Sequence, residues 1–294
     1  MNEARSNPLR WKRFFGHSAL NILSSPTPIS PCGLKEASVT DIAATNLNVY
    51  DFFAHLGKNV INPGGLAGRD RLLAELDIKP GSRVLEIGCG SGHTACYLAQ
   101  RFHCQVTAVD LSATMIRAAR RRVAEDGLDT QVRCETADIC WLPFAENSFD
   151  YVIIQAVLMF VDKTRALNEI RRVLKPGGRL GAIEFAWHQP PPTEVRDDTQ
   201  KVCGCSVLEF HTRDEWTGWL QRLNYQCVQT QEHPFALLSI LGFIRDEGIV
   251  NCLRIMSKIL YRRDNIRRLT QIWGHFARHR AHFRYALLTA NKMG

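Results

Sequence analysis

Three glycines at alternate positions, in Val84-Leu-Glu-Ile-Gly-Cys-Gly-Ser-Gly-His93, end an apolar run and precede Thr94-Ala-Cys-Tyr-Leu-Ala-Gln-Arg-Phe102, whose apolar residues recur at helical spacing. This pattern predicts a strand that feeds a tight loop beneath a helix N-terminus, where backbone N–H groups point at a ligand. A strand of that kind needs parallel neighbours reached through crossover helices, and the rest of the chain supplies them. Strands are expected at Arg83–Ile87, Gln105–Val109, Gln131–Glu135, Tyr151–Gln155, Arg179–Phe185 and Gln226–Gln231. Helices are expected between them at His93–Phe102, Ala113–Glu125, Lys163–Val173 and Arg213–Leu223. Alternation of this kind gives a parallel sheet covered on both faces.

Two helix starts carry caps. Ser112 precedes Ala113-Thr-Met-Ile116, and Thr212 with Glu215 three residues later makes a capping box. Lys175-Pro-Gly-Gly178 is expected to stop a helix and turn into the next strand. The fold class expected is therefore α/β: a Rossmann-like, seven-stranded, mostly parallel sheet with helices on both faces. To it are added an N-terminal helical cap and a basic helical insert before the last strand.

With 294 residues, one domain with additions is expected. The reading divides the chain into a flexible extension at 1–40 and a single domain at 41–294. Within that domain the cap spans 41–80, the ligand-binding core 83–232, the basic insert 233–283 and the final strand 284–291. The cap contains a helix with Tyr50, Phe52, Phe53 and Leu56, a breaker at Asn62-Pro-Gly-Gly65, and a helix over Gly68–Leu76. The insert reads as helices over Ile249–Tyr261 and Ile266–His279.

Net charge is +8, and residues 245–294 hold all of that excess, with eleven Lys/Arg against three acids. Ten cysteines in a chain of this length, several inside expected strands and helices, read as buried thiols in a reducing compartment. The apolar stretch Phe235–Ile244 falls short of the roughly 20 residues a membrane span needs. A cytoplasmic location is expected, with organelle targeting by the Arg- and Ser-containing residues 1–35 left open.

The glycine turn departs from the dinucleotide fingerprint, because His93 takes the place of the third glycine, and no Lys-Ser/Thr pair follows as in a triphosphate loop. Asp110, twenty-two positions after Gly88, ends the second strand, where a carboxylate can accept both hydroxyls of a ribose. Asp138 follows the third strand and can accept from an adenine amino group.

Taken in order, Glu86-Ile-Gly-Cys-Gly-Ser-Gly92, Val109-Asp-Leu-Ser112, Ala137-Asp138, Leu142-Pro-Phe144, Ser148-Phe-Asp150 and Leu174-Lys-Pro-Gly-Gly178 resemble the class I S-adenosylmethionine-dependent methyltransferases. The likeness is to the branch acting on small molecules, quinones and sterols, and it covers about residues 83–185. It implies S-adenosylmethionine as the cofactor. Gly88 and Gly90, in the turn that Gly92 completes, would approach the methionine end, and Glu86 would support the loop and the amino group. Asp110 would hold the ribose, Asp138 and the Ile139 backbone would read the adenine, and Leu111 and Met115 would pack on its faces.

An activated methyl leaves the enzyme chiefly to align the acceptor for in-line displacement. Where a base is needed, Gln155, Glu184, His188 and His211 lie on the loops after strands four and five, and His188, directly after strand five, is the expected catalytic residue. A small-molecule or lipophilic acceptor is expected. A metalloid acceptor, suggested by Cys203-Gly-Cys205, lacks the strand-four cysteine of arsenite methyltransferases, where Gln155-Ala156 stands; no metal is expected. Nucleic acid is not the expected partner, since Gln155-Ala-Val-Leu158 replaces the signature of adenine methylation. Val250, Leu253, Met256 and Leu260 share a helical stripe with Arg254, Lys258, Arg262 and Arg263 elsewhere, so residues 250–284 are a candidate contact with an anionic membrane. The alternatives are an arsenite-type or thiol/metalloid methyltransferase, a nucleic-acid methyltransferase using the basic C-terminal helices and, ranked last, a cofactor-binding scaffold without catalysis.

Overall fold

The computed structural model describes residues 44, 47–235 and 239–294; the extension expected at 1–40 lies outside them. In chain order the elements are α1 (Val49–Leu56), α2 (Gly65–Leu76), β1 (Arg83–Ile87), α3 (His93–Phe102), β2 (Gln105–Asp110) and α4 (Ala113–Glu125). There follow β3 (Val132–Thr136), β4 (Phe149–Gln155), a 3-10 turn (Leu158–Phe160), α5 (Lys163–Val173), β5 (Leu174–Trp187) and α6 (Thr193–Cys203). The chain ends with β6 (His211–Thr212), α7 (Arg213–Arg222), β7 (Tyr225–Pro234), α8 (Ile240–Tyr261), α9 (Arg263–Arg278) and β8 (Phe283–Lys292).

The strands lie in the order β3-β2-β1-β4-β5-β8-β7, with the two-residue β6 paired to the end of β5. Pairing is parallel from β3 through β5 and antiparallel where β8 joins β5 and β7. The seven expected strands are all present, and β6 is an eighth. Chain direction around the sheet reverses between β1 and β4, so the residues following those two strands flank the switch point, where α/β sheets bind ligands.

Alternation along each strand divides the core. Val84 and Ile153 join α2, α3 and α4 on one face, while Leu85, Val152 and Ile154 join α5 and α7 on the other. Strands buried on both sides are what parallel pairing demands. A third cluster, with Phe52, Phe53, Phe185, Trp187, Phe210, Ile255 and Phe276, joins α1, α6, α8 and α9 over the carboxyl end of β5. This is the cap.

The caps are as the sequence indicates: Ser112 Oγ accepts from Met115 N, and Thr212 and Glu215 complete their reciprocal box. Three differences stand out. Thr193–Cys203 is helical, where none was expected. Lys175–Gly178 is an excursion within the β5 run, as Phe149 pairs with Leu174 and Tyr151 with Arg179. The first insert helix begins at Ile240 and is bent at Gly248, whose φ of 71° takes it out of helical geometry.

Candidate active site

The loop after β1 is held by its neighbour strand. Gly88 N and Cys89 N donate to Val109 O at 2.8 and 3.0 Å, and Gly88, Gly90 and Gly92 have φ of 74°, 53° and 78°. That left-handed region costs glycine little and other residues more. Asp110, at the end of β2, is tied to the same loop: Oδ2 accepts from Gly90 N and Oδ1 from Ser112 N, both at 2.9 Å. Burial raises its pKa, and the two N–H donors partly offset the rise.

Glu86 sits under the loop, 3% exposed, and its Oε2 has no hydrogen-bond partner. Burial and the charge of Asp110 push its pKa to about 8, against the pull of Arg69. Asp138, exposed after β3, accepts from Cys140 N at 2.8 Å, while Ile139 beside it is buried. Leu111 and Met115 are half-buried and stand outside the three core clusters, whereas the adjacent Ile116 belongs to the core. The glycine loop, Glu86 and Asp110 thus come together as the sequence suggests, with apolar side chains left over beside them.

Several site residues come from elements that local sequence does not connect. Gln155, ending β4, donates to Thr94 Oγ1 at 3.0 Å and accepts from Asn62 Nδ2 at 2.9 Å, joining the start of α3 to the cap. Ala156 follows with φ 59°, an uncommon conformation for a residue with a Cβ. Arg69 of α2, 4% exposed, stacks 3.7 Å over the Tyr97 ring and lies 3.4 Å from His93 Nδ1. Arg122 of α4 donates to Ser91 O and to Asn59 Oδ1. No spacing rule in the sequence marks Asn62, Arg69 or Arg122, because only tertiary packing brings them to the loop.

Beyond β4 lies a second group of buried polar side chains. Glu184 of β5 is fully buried; its Oε1 accepts from Val157 N and Leu158 N at 3.0 and 2.9 Å, and its Oε2 is unpartnered. Burial lifts its pKa to about 7, against these donors and Lys163. Tyr50 and Phe160 meet edge to face at 4.9 Å, and the Tyr50 hydroxyl lies 3.7 Å from Met159 Sδ.

His188 is placed differently from Glu184. Its Nδ1 is 2.7 Å from Glu232 Oε1 of β7, a carboxylate that Arg284 also meets at 3.4 Å. His211 packs edge-on against Trp216, and burial lowers its pKa. The Cys203 thiol is buried and pushed up to about 12, and Cys205 is disulfide-bonded, which departs from the all-thiol reading of the cysteines. With Cys205 in a disulfide, Cys203-Gly-Cys205 does not offer two free thiols to a metalloid. Among the described residues no group of His, Cys, Asp and Glu is arranged to hold a metal.

A glycine loop and a strand-end carboxylate at the switch point of a doubly wound sheet define a nucleoside-binding α/β protein. Comparison with known proteins makes that class specific. A family model described as a methyltransferase domain matches residues 85–182. An uncharacterized protein of Haemophilus influenzae is 31% identical over 239 residues, covering 80% of this chain and 94% of that protein. The uncharacterized methyltransferase YodH of Bacillus subtilis is 36% identical over 165 residues, 56% of this chain and 69% of its own. Among solved structures, phosphoethanolamine N-methyltransferase 2 of Haemonchus contortus, in complex with phosphomonomethylethanolamine and S-adenosylhomocysteine, superposes with a TM-score of 0.66. That match has 22% identity and covers 83% of this chain and 57% of the other. The chain belongs to the class I S-adenosylmethionine-dependent methyltransferases, and its cofactor is S-adenosylmethionine.

Proposed function

We propose that the chain methylates a small or lipophilic acceptor held between the cap and the carboxyl edge of the sheet. The observation that carries this is the aromatic cap cluster: Phe185 and Phe210 stack at 5.1 Å, and Trp187 packs on Phe210 and Phe283 at 5.2 and 5.0 Å. These rings are buried between the helices and the sheet edge, and apolar and aromatic side chains beside a few polar groups are the lining typical of small-ligand sites.

The cofactor's donor set fits the residues present. Glu86, a buried carboxylate lacking a partner, suits the ammonium of a methionine tail. Gly88, Gly90 and Gly92 let the backbone approach that tail, and no Lys is provided for a phosphate. Asp110 keeps acceptor capacity and would hold the ribose hydroxyls, Asp138 and the Ile139 N–H would read the adenine, and Leu111 and Met115 would pack against the ring. When bound, the cofactor supplies a methyl group on a sulfonium, already a good leaving group.

The chain's own residues have three tasks. The cap and Gln155 align the acceptor for in-line attack, worth roughly 7–11 kcal/mol in the best cases. The aromatic cluster excludes water. Where the acceptor must lose a proton, Glu184 takes it: it is buried, has a free oxygen, and has a pKa poised near neutrality. Geometry favours Glu184 over His188, which is held by Glu232.

The test is transfer of labelled methyl from S-adenosylmethionine into fractionated cell extract. Label is expected in acid-soluble or solvent-extractable small molecules. Label confined to precipitated protein or RNA sinks the proposal.

A further inference from the structure

Most large apolar side chains left exposed among the described residues sit on α8 and α9. Ile249, Leu253, Met256 and Leu260 recur at steps of three and four residues and so form one stripe on α8. Ile249 is 70% exposed, and Leu253 and Leu260 are each 67% exposed. This is a second apolar face, because the inward face of the same helix already buries Cys252, Ile255 and Ile259. Trp273 of α9, 55% exposed, adds an amphipathic ring.

The charges are sorted with equal clarity. Arg254, Lys258, Arg262, Arg263 and Arg267 are exposed around this stripe. Of the acids in the two helices, Glu247 is buried against Lys58 and Asp246 is turned inward onto Leu66 N, which leaves Asp264 exposed. The outward surface is aliphatic and cationic together.

We propose that α8 and α9 form a docking face for an anionic phospholipid bilayer. Aliphatic residues insert at the boundary between headgroups and acyl chains while Arg and Lys pair with lipid phosphates, each basic residue adding to the attraction of an anionic surface. A second copy of the chain is the poorer occupant, because a two-fold contact would set the same cations against each other. RNA is poorer too: it offers the cations a partner but gives the aliphatic stripe nothing to bury against. The proposal goes beyond the acceptor reading and is tested without methyl transfer, so either can fail alone.

The experiment is co-sedimentation of the full chain with sucrose-loaded vesicles of phosphatidylcholine, or of phosphatidylcholine mixed with phosphatidylglycerol. Binding is expected to the mixed vesicles, at least roughly tenfold stronger than to neutral ones, and to weaken as salt rises. The triple variant Arg254→Glu, Arg262→Glu, Arg263→Glu is expected to lose roughly 100-fold in affinity for mixed vesicles. Val250→Glu with Leu253→Glu is expected to weaken binding to both vesicle types. Circular dichroism and calorimetry with S-adenosylhomocysteine are expected to match wild type for both variants, which separates lost docking from lost fold. Wild-type protein that stays in the supernatant with mixed vesicles at low salt overturns the proposal. So does a charge-reversed variant that binds mixed vesicles unchanged, an RNA gel shift in protein that ignores vesicles, or a concentration-dependent dimer abolished by Leu253→Glu.

Discussion

A Cβ on Gly88 would stand 2.3 Å from Cγ2 of Val157. The loop after β1 and the loop after β4 therefore close on each other with no space for a methyl group, and Gly88 is also left-handed at φ 74°. Gly88→Ala carries two costs: about 1–2 kcal/mol for the conformation and about 1–3 kcal/mol for overpacking. It is expected to lower the thermal midpoint and to cut affinity for S-adenosylhomocysteine at least tenfold. Adding Val157→Ala should return the packing part and leave the conformational part, a non-additivity that a double-mutant cycle reads directly. Wild-type affinity in Gly88→Ala would show that the loop is not where the cofactor sits.

Glu86 makes stability depend on pH in a direction opposite to that of an ordinary carboxylate. Its pKa is pushed up to about 8 in the folded chain, against 4.5 for an ordinary glutamate. Between these values the folded state holds a proton that the unfolded state has released. The stabilisation is fully present below the unfolded pKa and is lost as pH rises through the folded one, by up to about 1.4 kcal/mol per pH unit. A cationic ligand beside Glu86 favours the ionised form, so binding S-adenosylmethionine at neutral pH should expel close to one proton, and clearly fewer above the folded pKa. Calorimetry in buffers of different ionisation heat measures that count. In Glu86→Gln the proton release should vanish and the stability profile flatten; proton uptake by wild type would refute the assignment.

How much of this was legible beforehand differs by element. The bounds of β1, α3, α4 and α5 agree with the sequence reading residue for residue, because glycines, caps and clear periodicity mark both ends. Helix α6 escaped it. Pro190-Pro-Pro192 obscures its start, and its buried stripe is only Val195, Thr199 and Cys203 among polar residues. The glycine loop and Asp110 were visible because they follow consecutive strands at short separation. Arg69, Asn62 and Arg122 were not, since each reaches the site from another layer of the fold. The place of His188 directly after strand five points to catalysis, but sequence position alone does not report its 2.7 Å contact with Glu232.

Glu184 has a structural and a chemical role that substitutions can separate. Glu184→Ala leaves Val157 N and Leu158 N without their acceptor, at about 1–3 kcal/mol for each buried donor left unpaired. Glu184→Gln keeps an acceptor oxygen but cannot take a proton. If the acceptor gives up a proton in the reaction, Gln at this position should lower kcat by roughly 100-fold or more with cofactor affinity unchanged. The wild-type kcat/KM should rise with pH through about 7, where Glu184 ionises, and that limb should be missing in the variant. Full turnover in Glu184→Gln would leave this carboxylate as a support for the loop after β4.

Glu247 couples the basic helices to the loop after β1. Its carboxylate accepts from Lys58 Nζ at 3.2 Å, from Asn59 N at 3.0 Å, from Val60 N at 3.1 Å and from Asn251 Nδ2 at 2.7 Å. The segment it grips carries Asn59, which meets Arg122 and through it Ser91 O, and Asn62, which meets Gln155. Gly248, immediately after it, breaks the helix, so the gripping half of α8 and its exposed half are set at different angles. Removing one partner of a buried ion pair leaves an uncompensated charge, at about 3–5 kcal/mol. Glu247→Ala is therefore expected to unfold at a clearly lower temperature and, where it folds, to release S-adenosylhomocysteine faster. Glu247→Gln retains an acceptor and should fall between it and wild type. Hydrogen exchange distinguishes a local effect from a global one: amides at 57–62 should lose protection in Glu247→Gln while those of β1 and β4 keep theirs. Uniform loss across the sheet would mean that Glu247 serves overall stability, with no particular hold on the cap.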